Sequence, residues 1–123
     1  MFYKVINYEF ENSGYRFKVG LNHSNSNTIR FVEAKDVPLQ LNDGTYLAMV
    51  SIPDNAVVIN SNDFRRSDLI FVHEIIPLCK WEMWDDNEFC FEAVKQNRLS
   101  LIYVNNGIEK KCLKWYMERF VWF

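Results

Sequence analysis

The side chains best suited to chemistry in this sequence are two histidines and three cysteines. His73 is followed directly by Glu74, and an imidazole beside a carboxylate can act as an acid–base pair. However, both lie in residues 68–76, a nearly continuous apolar run that predicts a buried central strand. Because neighbouring residues of a strand point to opposite faces, we expect the pair not to act on one substrate.

The remaining candidates are isolated in the sequence. His23 lies in a polar loop with no cysteine, aspartate or second histidine nearby, so we expect neither a base nor a metal ligand there. Cys79, Cys90 and Cys112 are odd in number and lack C-x-x-C spacing, which argues against a disulfide framework or a zinc site. We expect Cys90 and Cys112 to pack in the core. The sequence thus predicts no catalytic residue, no metal and no cofactor.

Composition restricts the class of partner. The chain has 123 residues, is 49% hydrophobic and carries a net charge of −2, so it can form a core but lacks the basic face of a nucleic-acid-binding protein. No apolar run is long enough for a transmembrane helix, and the first residues lack the apolar core of a signal peptide. We expect an intracellular protein that is not secreted and binds neither nucleic acid nor membrane.

Charge is segregated along the second half of the chain. An acidic stretch that includes Asp85 and Asp86 precedes a basic end that includes Lys110 and Lys111. The last four residues are unusually apolar for a chain terminus. Aromatic side chains often anchor protein interfaces. The predicted contact surface combines the acidic stretch with the interface residues Trp84, Trp115, Phe120, Trp122 and Phe123.

The pattern of apolar residues changes along the chain. Period-two segments predict short strands up to Pro77, the strongest of them at residues 45–52. A short helix is expected at residues 33–41, interrupted by Pro38. After Pro77 the spacing of apolar residues favours helices, around residues 86–97, 99–104 and 113–120. The predicted fold is α+β: residues 1–80 form a small, mostly antiparallel sheet, and residues 81–123 form a helical-repeat segment packed on it.

A near-repeat supports the helical prediction. Phe89-Cys90-Phe91 begins one unit, and Lys111-Cys112-Leu113 begins a second unit after the turn at Gly107. The two cysteines are 22 positions apart, a period typical of stacked helical repeats. Such repeats form interaction scaffolds more often than active sites.

Two groups of motifs resemble a viral family. The first consists of YK (3–4), GYRF (14–17), GLN (20–22), GTYL (44–47), IPD (52–54) and FRRSDLI (64–70). The second is CFEAVKQNRLSLIYV (90–104), which departs from the family by Arg98 in place of glycine. Together they resemble the N-terminal module and short helical repeat of ankyrin-repeat and related proteins of giant, amoeba-infecting viruses of the mimivirus group. The resemblance covers about four-fifths of the chain and implies a protein of the host cytoplasm without a characterised activity.

The sequence leaves three functional classes open. The leading hypothesis is a protein–protein interaction module that binds a host or viral protein, or a second copy of the chain as a homodimer. The short strands also resemble ADP-ribosyltransferase-like folds, for which Glu74 would be the acidic residue. The acidic stretch would instead suit an inhibitor that mimics a nucleic acid.

Overall fold

The computed structural model describes residues 1–12, 14–24, 29–61 and 65–104. In these residues nine short strands are followed by one α-helix. The strands are β1 (Phe2–Ile6), β2 (Glu11–Asn12), β3 (Tyr15–Arg16), β4 (Gly20–His23), β5 (Ile29–Phe31), β6 (Tyr46–Ser51), β7 (Val58–Asn60), β8 (Arg65–Ser67) and β9 (Leu69–Pro77). The helix is α1 (Asn87–Gln96), and 3₁₀ segments span Ala34–Asp43, Leu78–Lys80, Glu82–Asp85 and Arg98–Ile102.

The four-stranded sheet β1-β6-β9-β4 and the three-stranded sheet β5-β8-β7 meet where β8 leads into β9. β8 and β9 are separated only by Asp68 and act as a single strand with a corner. β4 and β5 pair antiparallel with β9 and β8 along one edge, and β6 and β7 do the same along the other edge. Residues 68–76 were therefore correctly predicted to be central, and the strand predicted at residues 45–52 is confirmed as β6. The prediction that residues 68–76 are buried on both faces is wrong, because Phe71, His73 and Glu74 are exposed.

A single bridge closes this sheet on itself. β1 pairs antiparallel with β6, and its Tyr3 also pairs with Val32, just after β5. Tyr3 N–H donates to the Val32 carbonyl at 2.8 Å, and Val32 N–H donates to the Tyr3 carbonyl at 2.9 Å. Each strand of the circuit β1, β6, β9/β8, β4/β5 is thus hydrogen-bonded to the next, and β5 returns to β1.

Closure gives the sheet two buried faces. Inside the circuit, the inner cluster contains Ile6, Phe17, Ile29, Phe31, Ala48, Val50, Ile70 and Val72. On the outside of β1 and β6, the outer cluster contains Val5, Val32, Val37, Leu41, Leu47, Leu78, Trp81, Trp84, Cys90, Ala93, Val94 and Val104. Val5 and Ile6, like Leu47 and Ala48, are neighbours that belong to different clusters because strand side chains alternate between faces.

The outer cluster is covered by α1 and by the 3₁₀ segment Ala34–Asp43. The helix begins after Asp86, whose Oδ1 accepts a hydrogen bond from Phe89 N–H at 2.8 Å, and Glu88 in the first turn suits the helix dipole. Its face of Cys90, Ala93 and Val94 is buried against the sheet. The short helix predicted at residues 33–41 is instead this 3₁₀ segment, which accommodates Pro38.

The predicted fold class is wrong, because no helical-repeat segment follows the sheet within the residues that the structure describes. α1 is the only α-helix in the part of the chain that the structure describes. It ends at Asn97, whose backbone is extended and whose Nδ2 donates to the Pro38 carbonyl at 3.0 Å. The helix expected at residues 99–104 is only a 3₁₀ turn, Arg98–Ile102. The last predicted helix, at residues 113–120, lies outside the described residues, as does Cys112.

The observed architecture is therefore a closed antiparallel sheet with one helical layer on its outer face. That layer packs directly on strand residues rather than on a second helix, which is why the helical spacing of Phe89, Ala93 and Val94 does not signal a repeat. Both predicted units, residues 1–80 and residues 81–123, supply side chains to the outer cluster.

Gly44 lies at a close approach between two backbone segments. A Cβ at this position would collide with the carbonyl group of Ile6 and with Asn7 N, which belong to the backbone and cannot rotate away. We expect Gly44→Ala to lower the free energy of unfolding by about 1–3 kcal/mol or more, as in overpacked cores. Urea denaturation would measure the loss, with Asn42→Ala, an exposed neighbour, as the control. Equal stability of the two variants would contradict the close approach.

Lys4 is a buried cation in β1, on the same face as Ile6. Its side chain is 6% exposed, and Nζ donates to the Arg30 carbonyl at 2.9 Å and lies 5.4 Å from the centre of the Phe17 ring. Burial lowers the pKa of Lys4 to about 8; the charge of Arg30 adds to the effect and Asp43 opposes it. The ammonium therefore opposes folding below pH 8.

This lowered pKa predicts a pH dependence of stability. Between pH 8 and 10.5 the unfolded chain holds the Lys4 proton more tightly than the folded chain, so stability rises with pH. Relative to Lys4→Met, the wild-type protein should gain on the order of 3 kcal/mol across this range. Denaturation of both proteins at several pH values would measure the difference. A difference that stays constant, or falls, would contradict the burial of the charged amine.

Candidate functional site

His73 and Glu74 are arranged differently from the prediction. Glu74 pairs with Met49 and Val72 pairs with Val50, so His73 is the extra residue of a β-bulge in β9. Both side chains are exposed. The expectation that they point to opposite faces is wrong, because a bulge interrupts the alternation of the strand. The register across β6 produces this bulge, and no local sequence signal marks it.

The bulge instead brings His73 to a serine that the sequence did not single out. His73 Nε2 lies 2.7 Å from Ser51 Oγ, and its ring centre is 4.9 Å from that of Phe71. A nucleophile and base at this distance need a third group that orients the imidazole. In the described residues no carboxylate contacts the His73 ring. The pair therefore forms part of an open sheet face beside Phe71 and Leu21, which are 39% and 53% exposed.

The other reactive side chains in the part of the chain that the structure describes form no site. His23 is exposed at the end of β4, and its backbone N–H donates to the Tyr15 hydroxyl at 3.1 Å. Cys90 is buried, as predicted, and its Sγ donates to the Trp84 carbonyl at 3.1 Å. Cys79 is an exposed free thiol. Among the described residues no group of three histidine, cysteine, aspartate or glutamate side chains could hold a metal ion.

Trp84 does not lie on the surface where the sequence placed it. It is 2% exposed, and its Nε1 donates to the Leu78 carbonyl at 2.9 Å. Its ring stacks on Tyr103 with centroids 5.2 Å apart and meets Phe89 edge-on at 5.3 Å. Trp84 is therefore a core residue. The other four interface candidates, Trp115, Phe120, Trp122 and Phe123, lie outside the described residues and stay predictions.

The acidic stretch does contribute to a surface feature, a groove between α1 and the 3₁₀ segment Ala34–Asp43. The groove has a volume of about 230 Å³. It is lined by Lys35, Asp86, Glu88, Phe89, Glu92, Ala93 and Gln96. Phe89, Ala93 and Gln96 follow the i, i+4, i+7 spacing of one helix face, and the first two form an apolar floor.

The rim of this groove is mainly negative. Three carboxylates and one ammonium line it, which gives a net charge of −2 from these side chains. Asp86 is engaged as the helix cap, and Glu92 forms an ion pair with Lys95 at 2.9 Å. Lys35 Nζ lies 3.7 Å from Glu33. Because all these charges are exposed, their pairs contribute little to stability and their carboxylates face solvent.

The floor is continuous with the core, because Ala93 belongs to the outer cluster and Phe89 packs against it. Phe89 meets the rings of Trp81 and Trp84 edge-on at 5.2 and 5.3 Å, and Ala93 is buried between α1 and the sheet. The sequence indicated the acidic rim through its charge run. It did not indicate the floor, since Phe89 and Ala93 look like ordinary members of an apolar helix face. Only the packing of Lys35 beside α1 shows that this face is left partly open.

Comparison with models of protein families, with curated proteins and with solved structures gave no match. The resemblance to giant-virus modules therefore stays a prediction, and the groove is interpreted from its own geometry. Within the described ranges, no helix is long and apolar enough to cross a membrane.

The position of Trp84 yields a direct test of its role. We expect Trp84→Ala to lower the free energy of unfolding by about 3–5 kcal/mol, because it removes a buried ring and its hydrogen bond to Leu78. Thermal or urea denaturation would measure the loss. Trp84→Phe, which keeps an aromatic ring, should lose clearly less. If Trp84→Ala were as stable as the wild type, Trp84 would return to the list of surface candidates.

Proposed function

We propose that this chain is a protein–protein recognition module that binds its partner in the groove between α1 and the 3₁₀ segment Ala34–Asp43. The observation that carries the proposal is the combination of a charged rim and an apolar floor that is continuous with the core. Protein interfaces share this anatomy: an apolar centre excludes water, and a polar rim surrounds it. The sequence-based hypothesis of an interaction module leads to the same class of function.

The size of the groove favours a side chain over a small molecule. Pockets for cofactors and drug-sized ligands have volumes of about 300–1,000 Å³ and enclose most of the ligand. The groove, at about 230 Å³, is smaller and open on one side. A cavity of about 150 Å³ is already large enough for a benzene ring. One large apolar side chain of a partner therefore fits this space, with the rest of the partner lying over the rim.

The resemblance to giant-virus modules adds the setting to this proposal. In that setting the partner is a host or viral protein met in the cytoplasm of the infected cell, and a second copy of the chain is the other partner class. Neither requires catalysis by this chain. The ADP-ribosyltransferase-like alternative has no observation in its favour, because its one acidic residue, Glu74, lies exposed beside a β-bulge on an open sheet face.

Photo-crosslinking can test whether the groove contacts a partner. A benzophenone amino acid replaces Gln96, which lines the groove and is exposed, or Asp54, which is exposed in the β6–β7 connection. In lysate of infected amoebae we expect discrete protein adducts from position 96 and none of the same mass from position 54. Mass spectrometry would identify them and separate a second copy of the chain from other partners. Identical adducts from both positions, or none from position 96, would contradict the proposal.

A further inference from the structure

We infer that the groove recognises a short basic segment of another protein that carries one apolar anchor side chain. This inference rests on the proposed function and adds the chemistry of the partner. It follows from three features of the groove: the apolar floor of Phe89 and Ala93, the carboxylates of Glu88 and Glu92, and the position of Lys35.

The apolar floor determines which kind of side chain can serve as the anchor. Phe89 is fixed by edge-on contacts with Trp81 and Trp84, so the floor cannot collapse to close the space above it. An apolar side chain that enters removes both its own surface and that of the floor from water, which is favourable by about 25 cal/mol per Å². A polar side chain would gain no hydrogen bond from Phe89 or the Ala93 side chain. The anchor is therefore aliphatic or aromatic.

The carboxylates determine the charge of the partner segment and the spacing of its basic residues. Glu88 and Glu92 are four residues apart on α1, which places them about 6 Å apart along the helix axis. Two residues of an extended chain span about 6.6 Å. An extended segment with lysine or arginine at alternate positions can thus present one cation to each carboxylate. Glu88 forms no ion pair within the described residues, and the partner of Glu92 is the exposed Lys95, so both carboxylates can exchange to a new cation.

Lys35 is the positively charged residue of the groove and opposes binding of a basic segment. Its ammonium lines the same groove opposite the carboxylates of α1 and is paired only loosely with Glu33, at 3.7 Å. It repels a basic segment, so removal of Lys35 should strengthen binding. This gain cannot be mimicked by unfolding, because a destabilised protein would lose binding instead.

Charge also decides against a symmetric dimer in which two grooves face each other. In a two-fold symmetric dimer the same surface meets itself. Two grooves facing each other would bring together six carboxylates and two ammonium groups, twice the set that lines one groove. Like charges across an interface oppose association. A basic partner neutralises the rim instead.

The test uses a display library of random heptapeptides selected against the full chain. We expect the enriched peptides to contain lysine or arginine at alternate positions near one leucine, isoleucine, methionine or phenylalanine. An enriched peptide, labelled with fluorescein, would then be titrated against variants by fluorescence anisotropy. The double variant Glu88→Gln/Glu92→Gln should bind at least tenfold more weakly. The matched control Asp54→Asn/Glu82→Gln, which removes two exposed carboxylates outside the groove, should bind within twofold of the wild type.

Two further readouts complete the test. Lys35→Ala should bind about threefold or more tightly, and the affinity should fall as salt rises from 50 to 500 mM because the contacts are exposed ion pairs. Circular dichroism would verify that each variant is folded.

The outcomes separate this inference from the proposed function. Enriched peptides that are acidic or lack an anchor, yet crosslink from position 96, would overturn the basic ligand and keep the recognition site. Basic peptides that bind the groove variant Glu88→Gln/Glu92→Gln and the control variant equally well would also overturn it, because their binding would then not depend on the groove carboxylates. No enriched peptide, together with no crosslink from position 96, would overturn both.

Discussion

The structure depends on one constraint: strands β1 and β6 must be buried on both faces. The bridge between Tyr3 and Val32 creates this requirement, because it turns the sheet into a closed circuit with an inside. Once Ile6 and Ala48 face that inside, Val5 and Leu47 face outward and need a cover. The helical layer supplies it. A short chain can bury two apolar faces in this way.

The helical layer over the outer cluster is thin, which explains why a groove remains beside α1. α1 has ten residues, and its buried face is made of small or medium side chains, Cys90, Ala93 and Val94. Next to it lies a 3₁₀ segment rather than a second α-helix, which fits less closely against the ridges of α1. The large rings that complete the outer cluster, Trp81 and Trp84, come from the connection before α1. Phe89 reaches back to them, and the space beyond it stays open toward Lys35.

Much of the sheet could be predicted from local patterns. The apolar runs of β6 and β9 were sufficient to locate both strands, because each signal is contained within the strand. The closure was not predictable, since it depends on a pairing between Tyr3 and Val32, 29 positions apart, that leaves no local pattern. The bulge at His73 is a similar case. The bulge places His73 beside Ser51, and it arises from the register between β9 and β6.

The prediction for the helical region failed for a different reason. The spacing of Phe89, Ala93 and Val94 correctly indicated α1. The error was to extend the pattern beyond Asn97 into a repeat. The side chain of Asn97 binds both the Pro38 carbonyl and Leu99 N–H, which ends the helix and begins a 3₁₀ turn. The first contact links residues 59 positions apart, so apolar spacing alone could not reveal it.

The acidic side chains of α1 divide into those that support the helix and those that are available for binding, and this division bears on how the proposed recognition site can change on so small a fold. Asp86 caps the helix, so its loss would weaken both α1 and the rim. Glu88 and Glu92 are exposed on the same helix and contribute little to the core. Their charges can change at small cost in stability while the floor beneath them stays fixed by the outer cluster. The specificity of the groove therefore resides in residues that the fold does not need, and its shape resides in residues that the fold cannot lose.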